Sequence, residues 1–470
     1  MKQRLASGCD RLDTILGGGL IDPSITLLAG APGSGKTVLA QQYAFANADP
    51  ARPVVYFSTL TEPLSKITQF LDGLTFCAPE RIGTSVLFED LGDVVTSGGL
   101  NAGLARITEI ATRTRCALLV VDSIKALRYA TPDQAAYTRF LYELAGRLSA
   151  LATSTLWLAE YDTAELATSA EFTIADTTIA LSTQASGQRT NRALQVLKLR
   201  GSGFRPGWHA YRISQDGLDA FPRLSDSSDG DGTADPASLA RVSSGIAGLD
   251  SLLGGGFWPG SSTIVAGPPG SGKTVMGLHF AFHGTELGQH STFTTLQESP
   301  LQLNRAIHSL GWEPRSRGVT LRCESPNDIY IDEWFYDLLA SLNASQTRRL
   351  VIDSLTDLAA ACEDERRFSE FLHSLLGRCS QVGISTMLTL EIPDLYGREG
   401  LSDTGISHLS DNVILLQYQR ASARVDRALT VLKTRASANR PYTTTFEITG
   451  NGIVMDDSAG PDVTAAGRRR

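Results

Sequence analysis

The stretch Gly30-Ala31-Pro32-Gly33-Ser34-Gly35-Lys36-Thr37 decides the fold, and the chain contains it twice. Its second copy is Gly267-Pro268-Pro269-Gly270-Ser271-Gly272-Lys273-Thr274. Both copies place four residues between two glycines and follow them with Lys-Thr, the pattern of a phosphate-cradling P-loop. The glycines let backbone N–H groups turn inward around phosphate oxygens. The spacing therefore predicts nucleotide binding by Gly33, Ser34, Gly35, Lys36 and Thr37, and again by Gly270, Ser271, Gly272, Lys273 and Thr274. The lysines supply point charges at the terminal phosphates, and the hydroxyls of Thr37 and Thr274 are expected magnesium ligands. Each loop follows a short apolar run, Ile25-Thr26-Leu27-Leu28-Ala29 or Ile264-Val265-Ala266. Each precedes a helix-like stretch whose positive end points at the same phosphates.

The repeat extends outward from the loops. Ser7-Gly8-Cys9-Asp10-Arg11-Leu12-Asp13 matches Ser244-Gly245-Ile246-Ala247-Gly248-Leu249-Asp250, and Gly17-Gly18-Gly19 matches Gly254-Gly255-Gly256. Lys36 and Lys273 are 237 apart, Asp122 and Asp353 231, and Lys198 and Lys433 235. A near-constant offset over the length of a domain indicates tandem duplication. The expected organisation is a first domain over 1–221, an acidic flexible linker over 222–238, a second domain over 239–457, and a disordered tail over 458–470. The linker and tail are small, polar and nearly free of large apolar residues. Within each copy, apolar runs at 54–57, 117–121 and 156–158, and at 292–295, 350–352 and 386–390, alternate with helical stretches. That pattern predicts an α/β fold with a mostly parallel sheet flanked by helices. Strand pairs at 193–199 with 208–213, and at 428–432 with 443–448, predict an appended β-hairpin.

Composition bounds the function. The 470 residues are 42% hydrophobic and 20% charged, ordinary for a globular protein. A net charge of −8 argues against nucleic-acid binding driven by bulk charge. Six cysteines show no paired spacing, the N-terminus lacks an apolar signal core, and no apolar run approaches membrane length. The expected location is cytoplasmic, with no membrane partner.

Asp122 and Asp353 each end an apolar strand, where a carboxylate would sit beside the P-loop and hold magnesium. A lone strand-ending aspartate is usually a turn residue, but equivalent placement after both loops favours the metal role. Glu62 and Glu298 follow the second strand of each copy and are candidates to orient or deprotonate water. Lys198 and Arg200, and Lys433 and Arg435, lie two apart on their strands. They are read as a solvated edge strand or as cationic fingers reaching a neighbouring subunit's nucleotide. His279 and His283 are four apart on a helix without an evident third ligand, so they read as core or surface histidines.

With these residues in view, the chain resembles the KaiC family of tandem RecA-like P-loop ATPases over almost its whole length. The stretches that carry the resemblance are Arg241-Val242-Ser243-Ser244-Gly245, Gln297-Glu298-Ser299, Leu350-Val351-Ile352-Asp353-Ser354-Leu355, Asp411-Asn412-Val413-Ile414-Leu415-Leu416-Gln417-Tyr418 and Leu197-Lys198-Leu199-Arg200-Gly201. The resemblance implies a homo-hexameric ring with ATP and Mg2+ at subunit interfaces. It further implies slow hydrolysis in the first domain, autophosphorylation in the second, fingers from Lys198/Arg200 and Lys433/Arg435, and a KaiB-like or other signalling partner. Three departures stand out. The family's paired glutamates read Thr61-Glu62 and Gln297-Glu298 here. Its phosphoacceptor pair corresponds to Ser407-His408, leaving Ser407 as the acceptor. Its long C-terminal tail, which docks the activator KaiA, is nearly absent. The rival readings are a scaffold for which ATP is only glue, and a RecA/RadA-type recombination ATPase, which the acidic charge disfavours.

Overall fold

The computed structural model describes residues 3–59, 69–186, 189–224, 240–314, 318–326, 329–362, 365–392, 409–421, 424–435 and 442–455. The chain divides into two compact units, Met1–Arg223 and Leu224–Arg470. Most of the expected linker, from 225, and the expected tail lie outside the described residues.

The first unit opens with a two-stranded ribbon, β1 (Arg4–Leu5) and β2 (Leu20–Ile21). The main sheet uses β3 (Ile25–Gly30), β4 (Val54–Ser58), β5 (Val86–Asp90), β6 (Leu118–Asp122), β7 (Ser154–Ala159), β8 (Thr177–Ser186), β9 (Arg189–Leu199), β10 (Trp208–Ser214) and β11 (Gly217–Phe221). Their order across the sheet is β11-β10-β9-β8-β3-β7-β6-β4-β5. The second unit repeats it with β12 (Ser262–Gly267), β13 (Ser291–Thr295), β14 (Val319–Cys323), β15 (Arg349–Asp353), β16 (Ser385–Glu391), β17 (Asn412–Ala421), β18 (Arg424–Thr434), β19 (Thr443–Thr449) and β20 (Gly452–Met455). Its order is β14-β13-β15-β16-β12-β17-β18-β19-β20, the same topology met from the opposite edge.

The central strands are apolar on both faces because helices cover both faces. In β3, Leu28 joins Leu39 and Tyr43 of the helix Lys36–Ala46 on one side. Leu27 and Ala29 pack on the other side with Ile107 and Leu144, from the helices Gly92–Thr114 and Gln134–Ala150. Both units therefore fit tandem RecA-like domains.

The antiparallel extension is larger than the expected hairpin. It comprises β9, β10 and β11 in one unit and β18, β19 and β20 in the other. The strand it grows from, β8, reads Thr-Thr-Ile-Ala-Leu-Ser-Thr-Gln-Ala-Ser, too polar and small for an apolar-run search to find. The extension braces the phosphate loop. Tyr211 of β10 donates to the Ser34 carbonyl at 2.6 Å. Gly35 has φ +89, and a Cβ there would lie 2.4 Å from Ile213 Cδ1. Gly272 meets Ile448 in the same way, with φ +106 and 3.0 Å. At this position glycine is required both by conformation and by close approach.

Candidate functional site

Each phosphate loop leaves the carboxyl end of the sheet's fifth strand and runs into a helix that starts at its lysine. Lys36 is buried, and its Nζ donates to the carbonyls of Gly30 and Ala31 at 2.8 and 2.9 Å. Lys273 makes the same bonds to Gly267 and Pro268 at 2.9 and 3.0 Å. Burial pushes both ammonium pKa values down, opposed by Glu160 and Asp122 in the first site and by Glu391 and Asp353 in the second.

The two expected magnesium groups meet. Thr37 Oγ1 donates to Asp122 Oδ2 at 2.9 Å, and Thr274 Oγ1 to Asp353 Oδ2 at 2.8 Å. Tyr56 also donates to Asp122 Oδ2, at 2.6 Å, and Thr389 donates to Asp353. Burial raises both carboxyl pKa values, while the donated hydrogen bonds and the nearby lysine pull them back. A hydroxyl and a carboxylate in contact at the mouth of a P-loop are a hard-oxygen set suited to Mg2+. The buried hydroxyls of Ser34 and Ser271 have no protein partner, as donors aimed into a phosphate cradle would. The residues present therefore fit a magnesium–triphosphate.

Glu62 and Ser407 lie outside the described residues. Glu298 follows β13, second from the sheet edge. Its charge adds to burial in raising the Cys323 thiol on the edge strand β14. Its neighbour Gln297 donates to Ser354 Oγ at 3.4 Å, next to Asp353 in the chain.

The finger candidates sit at the opposite end of the sheet from the loops. Arg200 N bonds the Asp176 carbonyl, and Asp176 N bonds that of Ile25, at the start of β3. Gly30 is five residues further along, roughly 16 Å at the usual strand rise. Lys198 Nζ donates to the carbonyls of Phe172 and Thr173 at 3.1 and 3.2 Å, and Arg200 pairs with Asp176 at 3.4 Å. In the second unit Lys433 donates to the Ser410 carbonyl at 2.7 Å, and Arg435 pairs with Asp411 at 3.5 Å. The edge-strand reading does not hold, because β9 lies between β8 and β10, and β18 between β17 and β19.

A family model described as the KaiC ATPase matches residues 5–225 and again 242–459. The chain belongs to the KaiC ATPase family. It is 27% identical over 475 residues to the circadian clock oscillator protein KaiC of Picosynechococcus sp., covering 97% of this chain and 90% of that protein. Against KaiC 1 of Synechocystis sp. the figures are 26%, 97% and 89%. Against KaiC of Synechococcus elongatus they are 26%, 95% and 88%. Membership in the KaiC family accounts for two nucleotide sites on one chain. No helix among the described residues is long and apolar enough to cross a membrane.

Sequence reading missed one carboxylate in each site. Glu391 ends β16, opposite Gly267 in the register with β12, and lies 3.9 Å from Lys273 Nζ. Glu160 follows β7 at the equivalent place. Their offset of 231 equals that of Asp122 and Asp353, a signal the repeat carried.

The histidine pair is structural. Among the described residues no group of three His, Cys, Asp or Glu side chains is placed to hold a metal. His279 Nε2 accepts from the Ile453 amide at 2.7 Å and so pins β20 to the helix after the second loop. Gly452 is needed there, since a Cβ would lie 1.8 Å from that nitrogen. In the first unit Gln42 takes the role, accepting from the Leu218 amide at 2.9 Å. Burial pushes the His279 pKa down from 6.5 to about 4, helped by His283 and opposed by Glu286. A depressed folded pKa gives stability that is full above pH 6.5 and lost as pH falls toward 4, at most about 3 kcal/mol. Hydrogen-exchange protection of the Ile453 amide should therefore fall between pH 6.5 and 4.5, while that of Leu218 holds. His279→Gln should remove the difference.

Proposed function

We propose that the chain is an ATP-hydrolysing ring protein that binds Mg–ATP at both P-loops. Lys36, Lys273 and the loop amides hold the phosphates, and Thr37/Asp122 and Thr274/Asp353 hold magnesium. Lys198/Arg200 and Lys433/Arg435 reach the nucleotide of an adjoining copy. Bound magnesium neutralises charge on the phosphate oxygens; orientation and stabilisation fall to the side chains. The observation that carries this reading is the position of the finger pairs, at the end of each sheet away from their own loop. A cation so placed serves a phosphate only across an interface, and a nucleotide shared across an interface drives assembly by linkage.

The relatives' names make a clock-like regulatory role the natural setting. We place that role in a cytoplasmic homo-hexamer with a KaiB-like or other signalling partner, as the family resemblance implies. Native mass measurement should give six copies with ATP and magnesium and a smaller particle without them. An unchanged mass contradicts the assembly. We also assign Ser407 as the phosphoacceptor of a second-domain autokinase. Ser407→Ala should abolish labelling by γ-labelled ATP, and equal labelling removes Ser407 from the account.

The amide of Gln297, beside Ser354 where a carboxylate would aid hydrolysis, favours a second reading in which ATP is only structural glue. Phosphate release separates the two. Under the scaffold reading wild type, Lys36→Ala and Lys273→Ala give one background rate, whereas under ours each variant is slower.

A further inference from the structure

Hydrolysis at these sites needs a group to take the proton of the attacking water. In the second unit Gln297, which bonds Ser354 next to Asp353, is an amide. Another carboxylate holds a better place. In each sheet one strand lies between the strand that feeds the phosphate loop and the strand that ends in the magnesium aspartate: β7 between β3 and β6, β16 between β12 and β15. A side chain at its carboxyl end stands between the P-loop lysine and the magnesium site, where the terminal phosphate and its attacking water belong. In both units that residue is a glutamate.

The register fixes the placement. Leu158 pairs with Asp122 and Ala159 with Ala29, so Glu160 comes level with Gly30. Glu391 pairs directly with Gly267, and its Oε2 is 3.9 Å from Lys273 Nζ. The backbone of each glutamate is tied down from equivalent positions 231 residues apart. Lys125 Nζ donates to the Glu160 carbonyl, and Thr356 Oγ1 accepts from the Glu391 amide at 3.2 Å. Glu160 and Glu391 are also the foremost charges opposing the burial of Lys36 and Lys273.

We propose that Glu160 and Glu391 are catalytic residues, the carboxylates that accept the proton of the attacking water at the two P-loops. This rests on the ATP-hydrolysing reading above. The water oxygen bonds to the terminal phosphorus as the bond from that phosphorus to the diphosphate oxygen breaks, its electron pair leaving with the diphosphate. The water proton passes to the glutamate carboxylate, which afterwards gives it up to the released phosphate. When Lys273 turns to the phosphates, Glu391 is freed from its ion pair to act as base.

The test compares full-length wild type with Glu160→Gln/Glu391→Gln. Phosphate release and equilibrium affinity for a non-hydrolysable ATP analogue are both measured. The double variant should lose about 100-fold or more in turnover. Its affinity should hold or tighten, because a negative charge beside the phosphates is gone. Wild-type turnover in the double variant, or a loss matched by equal loss of affinity as for a mere counter-ion to the lysine, overturns the proposal. A wild type that binds ATP without hydrolysing it, or that binds no analogue, instead overturns the parent reading.

Discussion

Replacing Lys198 and Arg200 together by alanine is expected to lower first-domain phosphate release on the order of 10³-fold, the scale of cationic fingers in phosphoryl transfer. Affinity for ATP should fall far less. The contrast follows from position. These side chains lie beside Asp176, at the amino end of β3, while their own Gly30 lies at its carboxyl end. They cannot serve the phosphates of their own domain, and in the proposed ring a copy next door receives them. Among the described residues they hold two helix-end carbonyls, the Phe172 ring and a half-buried aspartate, and surface pairs of that kind are worth at most about 1 kcal/mol. The variant should therefore fold and bind. Phosphate release with the second domain silenced by Lys273→Ala reads the effect, and analogue binding supplies the control. Equal rates with and without the pair would return both residues to the solvated strand end.

Lys273→Ala is expected to weaken ATP binding at the second loop by about 10- to 100-fold, the size of a lost hydrogen bond to a charged group. The loss should reach the upper end of that range. Glu391 and Asp353 would remain beside the phosphates without the ammonium that now faces them. Lys36→Ala should act in the same direction at the first loop, where Glu160 and Asp122 are left. Titration of each variant with a fluorescent ATP analogue should show one site weakened and the other retained. Two unaffected sites would contradict the cradle assignment.

The parts of this site that could be read from the sequence are those written as short local patterns. The P-loops, Asp122 and Asp353 each sit at the end of an apolar strand, and duplication repeats the pattern in register. The fingers were legible as a charged pair, but not where they pointed. That depends on β8 pairing with the start of β3, a long-range contact with no local signature. Glu160 and Glu391 look like any strand-ending glutamate, and only the shared offset of 231 with the magnesium aspartates distinguishes them. The pinning of the last strand was hidden more deeply. Gln42 and His279 do the same work with different chemistry, so comparing the two copies shows a difference where the fold has an equivalence. The antiparallel extension was underestimated because β8 and β11 carry few large apolar residues. Ile179, Leu181, Leu218 and Phe221 are buried, but they are too few and too scattered to make an apolar run.

Mixing tests most directly whether each nucleotide is finished by a neighbour. One population carries Lys36→Ala, with a defective cradle and sound fingers. The other carries Lys198→Ala and Arg200→Ala, with a sound cradle and no fingers. Each alone should hydrolyse ATP slowly. Mixed rings should regain first-domain turnover, because a sound cradle then meets sound fingers at some interfaces. A mixture whose rate is only the average of its components would contradict a site shared between copies.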